Sequence, residues 1–396
     1  MVVYYVLAAL SSWFGLQSLL SGIRYAAYVR REASRLLPDF QPFVSVIAPG
    51  RGLEPGLIDN LRPLVAQDYP RYEVLFVFDA LDDPAIKIVD ELRRTAAVPA
   101  RTVIAGPATD SGQKVHNLRI AVNEIDPESE VLVFVDTDAR PAKDWLRKLV
   151  APLADETLGA STGYRWFIPE RGGIASRLRS VWNASVASAL GSDTAKNFCW
   201  GGSTAIRLST FTKLDISNRW RGTVSDDFTI TRVLKEAKLP IHFTPNCLVA
   251  SVGDCDSREL LEFTTRQIKI TRVYASHLWL PLLLGSALFA IAFFGGFILL
   301  ILQILKILSN SVVLPTVVLI IFTLGVTKSF LRFRTISTVL QTSRADLLAH
   351  IFLWPFASLL YLYNAVAAGF SRRIKWRGIT YELKSPTEAV IISREF

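Results

Sequence analysis

The sequence VLVFVDTDARP, residues 131–141, combines a run of apolar residues with an abrupt change to acidic ones. Its first five residues are all apolar, which predicts a β-strand buried on both faces, as in a parallel sheet. Asp136 and Asp138 follow directly, so two carboxylates separated by one residue stand at the carboxyl end of the strand. Ligands of open α/β sheets bind beyond the carboxyl ends of the strands. The stretch therefore predicts an α/β fold with a parallel sheet, and it predicts that a ligand-binding site lies at the carboxyl edge of that sheet.

The region from Phe43 to Gly163 repeats this pattern, because apolar strands alternate with amphipathic helices. Such alternation predicts an α/β fold with a mostly parallel sheet flanked by helices, here inserted between transmembrane helices. The predicted strands are Val44–Ala48, Glu73–Phe78, Thr102–Ala105 and Val131–Val135. The predicted helices are Pro55–Gln67, Pro84–Thr95, Lys114–Glu124 and Ala142–Leu153.

A second acidic cluster falls on the same edge of the predicted sheet. Asp79, Asp82 and Asp83 follow the second strand, as Asp136 and Asp138 follow the fourth. Two carboxylates at a strand end can bind one Mg²⁺ or Mn²⁺, which prefers oxygen ligands and is usually completed by substrate phosphates. The alternative is that these aspartates only make turns and caps. Two clusters on one edge favour the metal and ligand site.

Two further motifs lie later in the chain. Gly201, Gly202 and Ser203 form a turn whose backbone could approach a ligand closely, although a plain tight turn would have the same sequence. Asp226 and Asp227 precede a helix predicted at Phe228–Lys238, and either acid could simply stabilise the first turn of that helix. One of the two could instead act as a general base toward an attacking hydroxyl.

Four apolar segments are candidates to cross a bilayer. The arginines that begin at Arg24 place the chain after the first segment in the cytoplasm. Four crossings would leave the carboxyl terminus outside, yet basic residues also follow the last segment. One segment could therefore be re-entrant, and His350 and Pro355 make the last one the candidate. The segments are residues 2–23, 278–305, 312–327 and 347–370.

The composition indicates a membrane protein with one soluble domain. Hydrophobic residues make up 51% of the chain and charged residues 20%, and the net charge is +9. Basic residues border the hydrophobic segments and form no long run with interleaved aromatics, which indicates the lipid bilayer as a partner and no nucleic acid. The three cysteines lack zinc-like spacing and are expected to be reduced thiols.

A basic helix is predicted at residues 257–275, just before the second apolar segment. Arg266, Lys269 and Arg272 lie on overlapping faces at helical spacing. They could clamp a diphosphate, or they could only meet lipid head groups. The charge pattern leaves both interpretations open.

Together these features resemble the family-2-type glycosyltransferases, and more narrowly the ceramide glucosyltransferase group and its bacterial relatives, including hopanoid-associated enzymes. The resemblance covers about residues 43–275 and the flanking helices. Arg266 and Lys269 resemble the basic pair of the group's last motif, but Ile270 stands where the group has tryptophan. In processive synthases that tryptophan lies near the growing polymer, so its absence argues against a long sugar polymer. The matching stretches are YEVLFVFDALDDPAIKIVDEL (72–92), GQKVHNL (112–118), FVDTDARP (134–141) and VSDDFTITRVL (224–234).

The resemblance implies a GT-A fold and an inverting, metal-dependent transfer of one sugar from a UDP-sugar donor, a UDP-hexose, to the hydroxyl of a membrane lipid. It implies that Asp227 is the general base and that Asp136 and Asp138 bind Mg²⁺ or Mn²⁺. The residues implied to bind the nucleotide sugar are Asp79, Asp82, Asp83, Lys114, Asn117, Asp136, Arg266, Lys269 and Arg272. Those implied on the acceptor side are Gly201, Gly202, Ser203 and Asp226.

These interpretations divide the chain into four parts. The catalytic domain is expected in the cytoplasm, and the multi-pass protein in a bacterial inner membrane. Two other functions stay open: a processive polysaccharide synthase, and a catalytically inactive membrane scaffold or transporter. The expected parts are an anchor with a basic linker (1–42), the catalytic domain (43–277), transmembrane helices (278–370) and a basic carboxyl-terminal tail (371–396).

Overall fold

The computed structural model describes residues 1–395, and its chain divides into two compact units. The first unit contains residues 1–30, 172–188 and 255–371, and the second contains 31–171, 189–254 and the described residues from Arg372 onward. The strands are β1 (Val44–Pro49), β2 (Tyr72–Phe78), β3 (Ala100–Ile104), β4 (Val131–Phe134), β5 (Ala160–Ile168), β6 (Thr204–Arg207), β7 (Ile241–Val252), β8 (Arg373–Trp376), β9 (Ile379–Ser385) and β10 (Glu388–Arg394). The helices are α1 (Val2–Ala33), α2 (Leu57–Leu61), α3 (Ala85–Thr95), α4 (Gln113–Val122), α5 (Trp145–Val150), α6 (Ile174–Ala187), α7 (Leu208–Lys213), α8 (Ile216–Arg219), α9 (Asp226–Glu236), α10 (Ser257–Tyr274), α11 (Ser276–Ile304), α12 (Val313–Ile336) and α13 (Arg344–Phe370).

The second unit is built on a seven-stranded sheet with the order β3-β2-β1-β4-β6-β5-β7. The first four of these strands run parallel, whereas β6 is antiparallel to both of its neighbours. The expected α/β fold with a mostly parallel sheet is confirmed, and the four expected strands match β1 to β4 within two residues at each end. The carboxyl ends of β1, β2 and β4 consequently share one edge.

The core of this unit explains why the strands form where they do. β1, β2 and β4 are apolar along almost their whole length, and Ile47, Leu75 and Phe134 are fully buried. The ring of Phe134 packs at 5.5 Å against that of Trp220, which is itself fully buried. Complete burial of one large apolar side chain contributes about 1.5–3 kcal/mol, so this central layer holds the strand ends in fixed positions.

Helix α9 starts at Asp226, two residues earlier than the predicted helix. Ser225 is the N-cap, and its side chain accepts a hydrogen bond from the backbone N–H of Phe228. Serine is among the preferred N-cap residues, and acidic residues in the first turn are favoured by the helix dipole. Both aspartates therefore lie in the first turn of α9, at a position fixed by the cap.

The residues expected only as a basic tail form a three-stranded antiparallel sheet, β8 to β10, within the second unit. Tyr381 on β9 is buried, and its hydroxyl oxygen accepts a hydrogen bond of 3.1 Å from the backbone N–H of Gln113. Arg394 on β10 donates to the side-chain oxygen of Gln113 at 3.0 Å. The tail is thus fastened to the start of α4.

The first unit contains the helices α6, α10, α11, α12, α13 and most of α1. Four of its helices are long and apolar enough to cross a membrane, as the sequence predicts: α1, α11, α12 and α13. One apolar cluster joins α1, α11 and α12, and a second joins α6, α10 and α13 with the first turns of α11. Proline residues lie inside α11 and α13, at Pro281 and Pro355.

Candidate active site

Three distant segments of the second unit bring their charged side chains together at the carboxyl edge of the sheet. Lys114 comes from the first turn of α4, Asp136 follows β4, and Asp226 begins α9. The Nζ atom of Lys114 lies 2.7 Å from Asp136 Oδ1 and 3.2 Å from Asp226 Oδ1. It also donates a long hydrogen bond of 3.5 Å to the carbonyl oxygen of Gly201. The predicted residues Lys114, Asp136, Asp226 and Gly201 therefore form one connected group.

A fourth segment adds Arg165, from the middle of β5. Its Nη2 atom lies 2.8 Å from Asp136 Oδ2, and its Nη1 atom lies 3.2 Å from Asp138 Oδ2. The guanidinium also lies over the ring of Trp200, 4.7 Å from its centroid. One arginine thus joins both carboxylates of the Asp136-Thr137-Asp138 stretch.

Burial and charge pull the pKa values of this group in different directions. Burial alone would lower the pKa of Lys114, but the carboxylates of Asp136 and Asp226 outweigh it, and the pKa is raised. Burial would raise the pKa of Asp136, yet Lys114 and Arg165 hold it below its usual value. Burial raises the pKa of Asp226 to about 6, although Lys114 opposes the shift. Lys114 is therefore a cation and Asp136 an anion at neutral pH.

The two glycines of the predicted turn lie directly against this group. A β-carbon at Gly201 would overlap the Oδ2 atom of Asp226 and would lie 2.8 Å from Lys114 Nζ. A β-carbon at Gly202 would overlap the ring of Trp200 and would lie 2.8 Å from Asp136 Oδ2. Only residues without a side chain allow the backbone to pass this close.

Two predicted site residues are buried supports. Ser203 is fully buried, and its Oγ atom accepts a hydrogen bond of 2.8 Å from the indole N–H of Trp145. Asn117 is 2% exposed; its Oδ1 atom accepts a 2.8 Å bond from the side chain of Gln113, and its Nδ2 atom donates to the carbonyl of Val77 at 3.5 Å. Both side chains hold the walls of the site together.

Asp227 has a different environment from its neighbour Asp226. It is only half-buried, and its Oδ1 atom accepts hydrogen bonds from the backbone N–H of Phe228, at 2.7 Å, and from the hydroxyl of Ser225. Within the described part of the chain these bonds all reach Oδ1 and fix the carboxylate at the start of α9. Such a carboxylate is oriented by the helix and still accessible.

The acidic residues after β2 have three separate environments. Asp79 lies 3.5 Å from the Nε atom of Arg51, which follows β1. Asp83 accepts hydrogen bonds from the backbone N–H groups of Gly52, at 2.8 Å, and Ala85, at 2.9 Å. Asp82 is exposed at the tip of the turn. Asp83 thus ties the loop after β1 to the loop after β2, which carries both Asp79 and Asp82.

The predicted basic cluster of α10 belongs to the first unit. Arg272 donates to the carbonyl of Ala368 in the last turn of α13, and its guanidinium lies 5.2 Å from the ring centroid of Trp279. Arg266 lies over the ring of Phe263 at 5.6 Å. Burial lowers the pKa of Lys269. Arg272 therefore has a clear packing role, because it satisfies a carbonyl at a helix end.

The acidic residues present suit a metal ion that is shared with a substrate. Among residues 1–395 no group of three or more histidine, cysteine, aspartate or glutamate side chains is arranged to hold a metal. The Oδ1 atom of Asp138 is buried and has no hydrogen-bond partner within the described residues. Mg²⁺ is usually held by one or two carboxylates, with the other ligands supplied by water and substrate phosphates. Asp136 and Asp138 fit that requirement.

The sequence reasoning missed Arg165 and its aromatic neighbour Trp200. A signal for Arg165 was present, because it is a charged residue at the centre of ASTGYRWFI, an otherwise uncharged stretch of nine residues (160–168). Its partners could not be inferred from that signal, since they depend on the order of the strands in the sheet.

Comparisons with known proteins identify a sequence family. The family model described as glycosyl transferase family 21 matches residues 4–389. Ceramide glucosyltransferase 3 from Caenorhabditis elegans is 31% identical over 78 residues, which is 19% of this chain and 17% of the nematode protein.

Two solved structures are similar to this chain at low sequence identity. One is the mannosyltransferase PcManGT from Pyrobaculum calidifontis in complex with GDP-Man and Mn²⁺, with 18% identity, 92% of this chain and 99% of that chain covered, and a TM-score of 0.47. The other is glucosyl-3-phosphoglycerate synthase from Mycobacterium tuberculosis in complex with phosphoglyceric acid, with 14% identity, 58% and 78% covered, and a TM-score of 0.35.

Proposed function

Because the chain belongs to glycosyl transferase family 21 and is therefore a glycosyltransferase, we propose that it transfers one hexose from a UDP-sugar to the hydroxyl of a membrane lipid. The observation that carries this proposal is the convergence of Lys114, Asp136, Asp138 and the acidic start of α9 at the carboxyl edge of the sheet. The short similarity to a ceramide glucosyltransferase and the four apolar helices support a lipid as acceptor.

The donor is proposed to lie across the ends of β1, β2 and β4. Asp79 and Asp82 contact the nucleoside from the loop after β2, which Asp83 fastens to the loop after β1. Asp136 and Asp138 would hold Mg²⁺ or Mn²⁺ against the diphosphate. A bound divalent ion supplies charge neutralisation for the leaving diphosphate. Lys114 contributes a fixed positive charge beside Asp136.

Asp227 is the proposed general base. Its Oδ1 atom is held by the backbone N–H of Phe228, so the half-buried carboxylate is oriented before the acceptor arrives. The acceptor oxygen forms a bond to the anomeric carbon as the bond from that carbon to the diphosphate oxygen breaks, and the hydroxyl proton passes to Asp227. A single displacement of this kind needs one base and inverts the anomeric carbon.

Replacement of the base tests the assignment. We expect Asp227→Asn to lose at least about a hundredfold in turnover, as is typical when general base catalysis is removed, and to bind UDP with wild-type affinity. Turnover is measured as labelled sugar from a panel of UDP-sugars that reaches the lipid extract of membranes. Glu236→Gln, the same chemical change at the exposed far end of α9, is the control and should be fully active. Wild-type turnover in Asp227→Asn would remove Asp227 from its role.

Substrate chemistry is tested by the same extract. A radiolabelled product that moves with lipids and carries one sugar supports the proposal. A product of high molecular weight would indicate a processive synthase instead. Ile270 in α10 is aliphatic and buried, and an aliphatic side chain offers no aromatic surface on which a polymer could stack.

For the membrane helices we propose that α1, α11 and α12 cross the bilayer and that α13 begins and ends on its cytoplasmic side. Three crossings after Asp254 would place the tail on the opposite face from the catalytic sheet, yet Tyr381 and Arg394 bind Gln113 of that sheet's own unit. An even number of crossings is therefore required. Of the three carboxyl-terminal helices α13 has the lowest mean hydropathy, and it packs with the amphipathic helices α6 and α10.

Labelling with a membrane-impermeant maleimide on intact cells tests this topology. Single cysteines are introduced at three exposed positions: Asn310 between α11 and α12, Gln341 between α12 and α13, and Lys384 in the tail. We expect labelling only at Asn310. The parent protein is the background control, because Cys199 and Cys247 are buried but Cys255 is partly accessible. Labelling at Lys384 in intact cells would refute the topology.

A further inference from the structure

Arg165 occupies a position that no motif assigned. Its guanidinium spans the two proposed metal ligands, with one nitrogen on Asp136 and the other on Asp138. The side chain is only 13% exposed. Charge-assisted bonds of this kind are stronger than neutral ones, and the planar guanidinium fits carboxylate or phosphate oxygens equally well.

Aromatic side chains also contact Arg165, in addition to the two carboxylates. The guanidinium lies over Trp200 at 4.7 Å and over Phe167 at 5.5 Å. Trp200 in turn packs against Tyr164 at 5.5 Å. Strand β5 pairs with β6 on one side and β7 on the other. Cation–π contacts of a desolvated arginine are worth about 2 kcal/mol. These contacts hold the guanidinium beside the site when its carboxylate partners change.

Both oxygens of Asp136 already face a cation. Oδ1 faces Lys114 at 2.7 Å and Oδ2 faces Arg165 at 2.8 Å. A divalent ion that arrives alone must compete with two positive groups for this carboxylate. A diphosphate that arrives with the ion changes the balance, because its oxygens accept the N–H groups that the carboxylates release. The charges of the site therefore favour the joint binding of metal and donor.

We propose that Arg165 occupies the Asp136–Asp138 pair in the free enzyme and transfers its hydrogen bonds to the donor diphosphate when metal and donor bind together. Arg165 is then a donor-binding residue that also suppresses binding of the metal alone. This inference rests on the proposed function, since it requires a divalent ion at the two aspartates and a nucleotide diphosphate beside them.

The experiment measures Mn²⁺ binding to the detergent-solubilised full chain by electron paramagnetic resonance, with and without UDP. For the wild type we expect UDP to strengthen Mn²⁺ binding by about tenfold or more, within the range usual for coupled sites. For Arg165→Gln we expect Mn²⁺ alone to bind about tenfold more tightly, because a positive charge beside the ion is gone, and UDP to add little. The two effects have opposite signs, which a loss of structure would not produce.

Two further variants control the result. Arg165→Lys keeps the positive charge but loses the planar guanidinium that can bond two oxygens at once. Mn²⁺ alone should therefore bind as weakly as in the wild type, and UDP should strengthen Mn²⁺ binding less than in the wild type. Arg147→Gln removes a half-buried arginine that pairs with Asp68 at 3.2 Å and should behave as the wild type. Thermal unfolding of each variant confirms that it is folded.

The outcomes separate the two proposals. If Arg165→Gln is folded and its Mn²⁺ affinity and UDP coupling equal those of the wild type, the role of Arg165 is refuted and the metal-dependent enzyme stands. If the wild type binds no Mn²⁺ even with UDP, the metal assignment within the proposed function fails, and the role of Arg165 falls with it.

Discussion

Replacing Gly201 by alanine tests the close approach of backbone and charge at the site. The added β-carbon would overlap Asp226 Oδ2 and would lie 2.9 Å from Asp226 Cγ and 2.8 Å from Lys114 Nζ. Asp226 cannot move away easily, because its side chain is 3% exposed and bound to Lys114. The substitution must therefore break or stretch the contact between Lys114 and Asp226.

The expected loss of stability depends on the contacts that Lys114 keeps. Removal of one partner from a buried ion pair costs about 3–5 kcal/mol. Lys114 keeps Asp136 at 2.7 Å, so the loss is smaller, near the cost of about 1–3 kcal/mol for one buried polar group left unsatisfied. In a domain of this size each kcal/mol lowers the melting temperature by about 2–4 °C. Turnover should fall more, since a displacement of about 1 Å in a positioned group can cost a hundredfold.

The assay pairs thermal unfolding, followed by tryptophan fluorescence, with sugar transfer into the lipid extract. Gly191→Ala is the matched control, because a β-carbon there meets no atom within 4 Å and alanine should be tolerated. The reasoning is refuted if Gly201→Ala has the same melting temperature and the same turnover as Gly191→Ala. Equal losses in both variants would point to a general effect of alanine in loops and would also count against it.

Three further predictions concern the second unit. Burial lowers the pKa of His242, although Glu32 opposes the shift. As the pH falls below 6.5, the unfolded chain therefore binds a proton that the folded chain does not bind, and the folded state loses stability. In thermal unfolding, His242→Gln should therefore lose less stability than the wild type between about pH 7 and pH 5. Tyr381→Phe leaves the backbone N–H of Gln113 without its 3.1 Å acceptor and should cost about 1–3 kcal/mol, with faster proteolytic release of the tail; unchanged release would contradict the docking. Ser225→Ala removes the N-cap of α9 and should cost about 1 kcal/mol in unfolding free energy, whereas no measurable loss would contradict the cap.

The parallel half of the sheet was predictable because it rests on local patterns. β1, β2 and β4 are continuous apolar runs, and their burial on both faces is what such runs indicate. The acids that follow them were placed correctly on one edge because parallel strands end together. Sequence and structure agree where short-range order decides the outcome.

The charge network at the site depends on long-range order and was only partly visible. Arg165 reaches Asp136 although β6 lies between β5 and β4, and no sequence pattern gives that strand order. Lys114 was found through a family resemblance, and its pairing with Asp226 only through the structure. The different environments of Asp226 and Asp227 follow from the cap at Ser225, which the sequence left open.

The carboxyl-terminal tail has an alternating pattern of apolar and polar residues, which its basic composition does not indicate. Ile379, Tyr381 and Leu383 alternate with polar residues and are all buried, which is the signature of a half-buried strand. The surrounding basic residues favoured the interpretation as a basic tail. Alternation is the better guide here, because burial of three apolar side chains outweighs the attraction of a few exposed charges.

The docked tail also removes the conflict in the charge distribution around the membrane helices. If α11 runs outward and α12 returns, then Lys328, Arg332 and Arg334 in the second half of α12 stand on the same face as the basic residues after Phe370. The positive-inside rule then holds at every basic segment, whereas a crossing α13 would break it at the tail. The two arguments are independent, because one uses charge and the other uses the hydrogen bonds of Tyr381 and Arg394. Both arguments support the proposal that α13 begins and ends on the cytoplasmic side, and both allow its middle, where Trp354 packs against Phe289 and Phe293 of α11, to enter the bilayer.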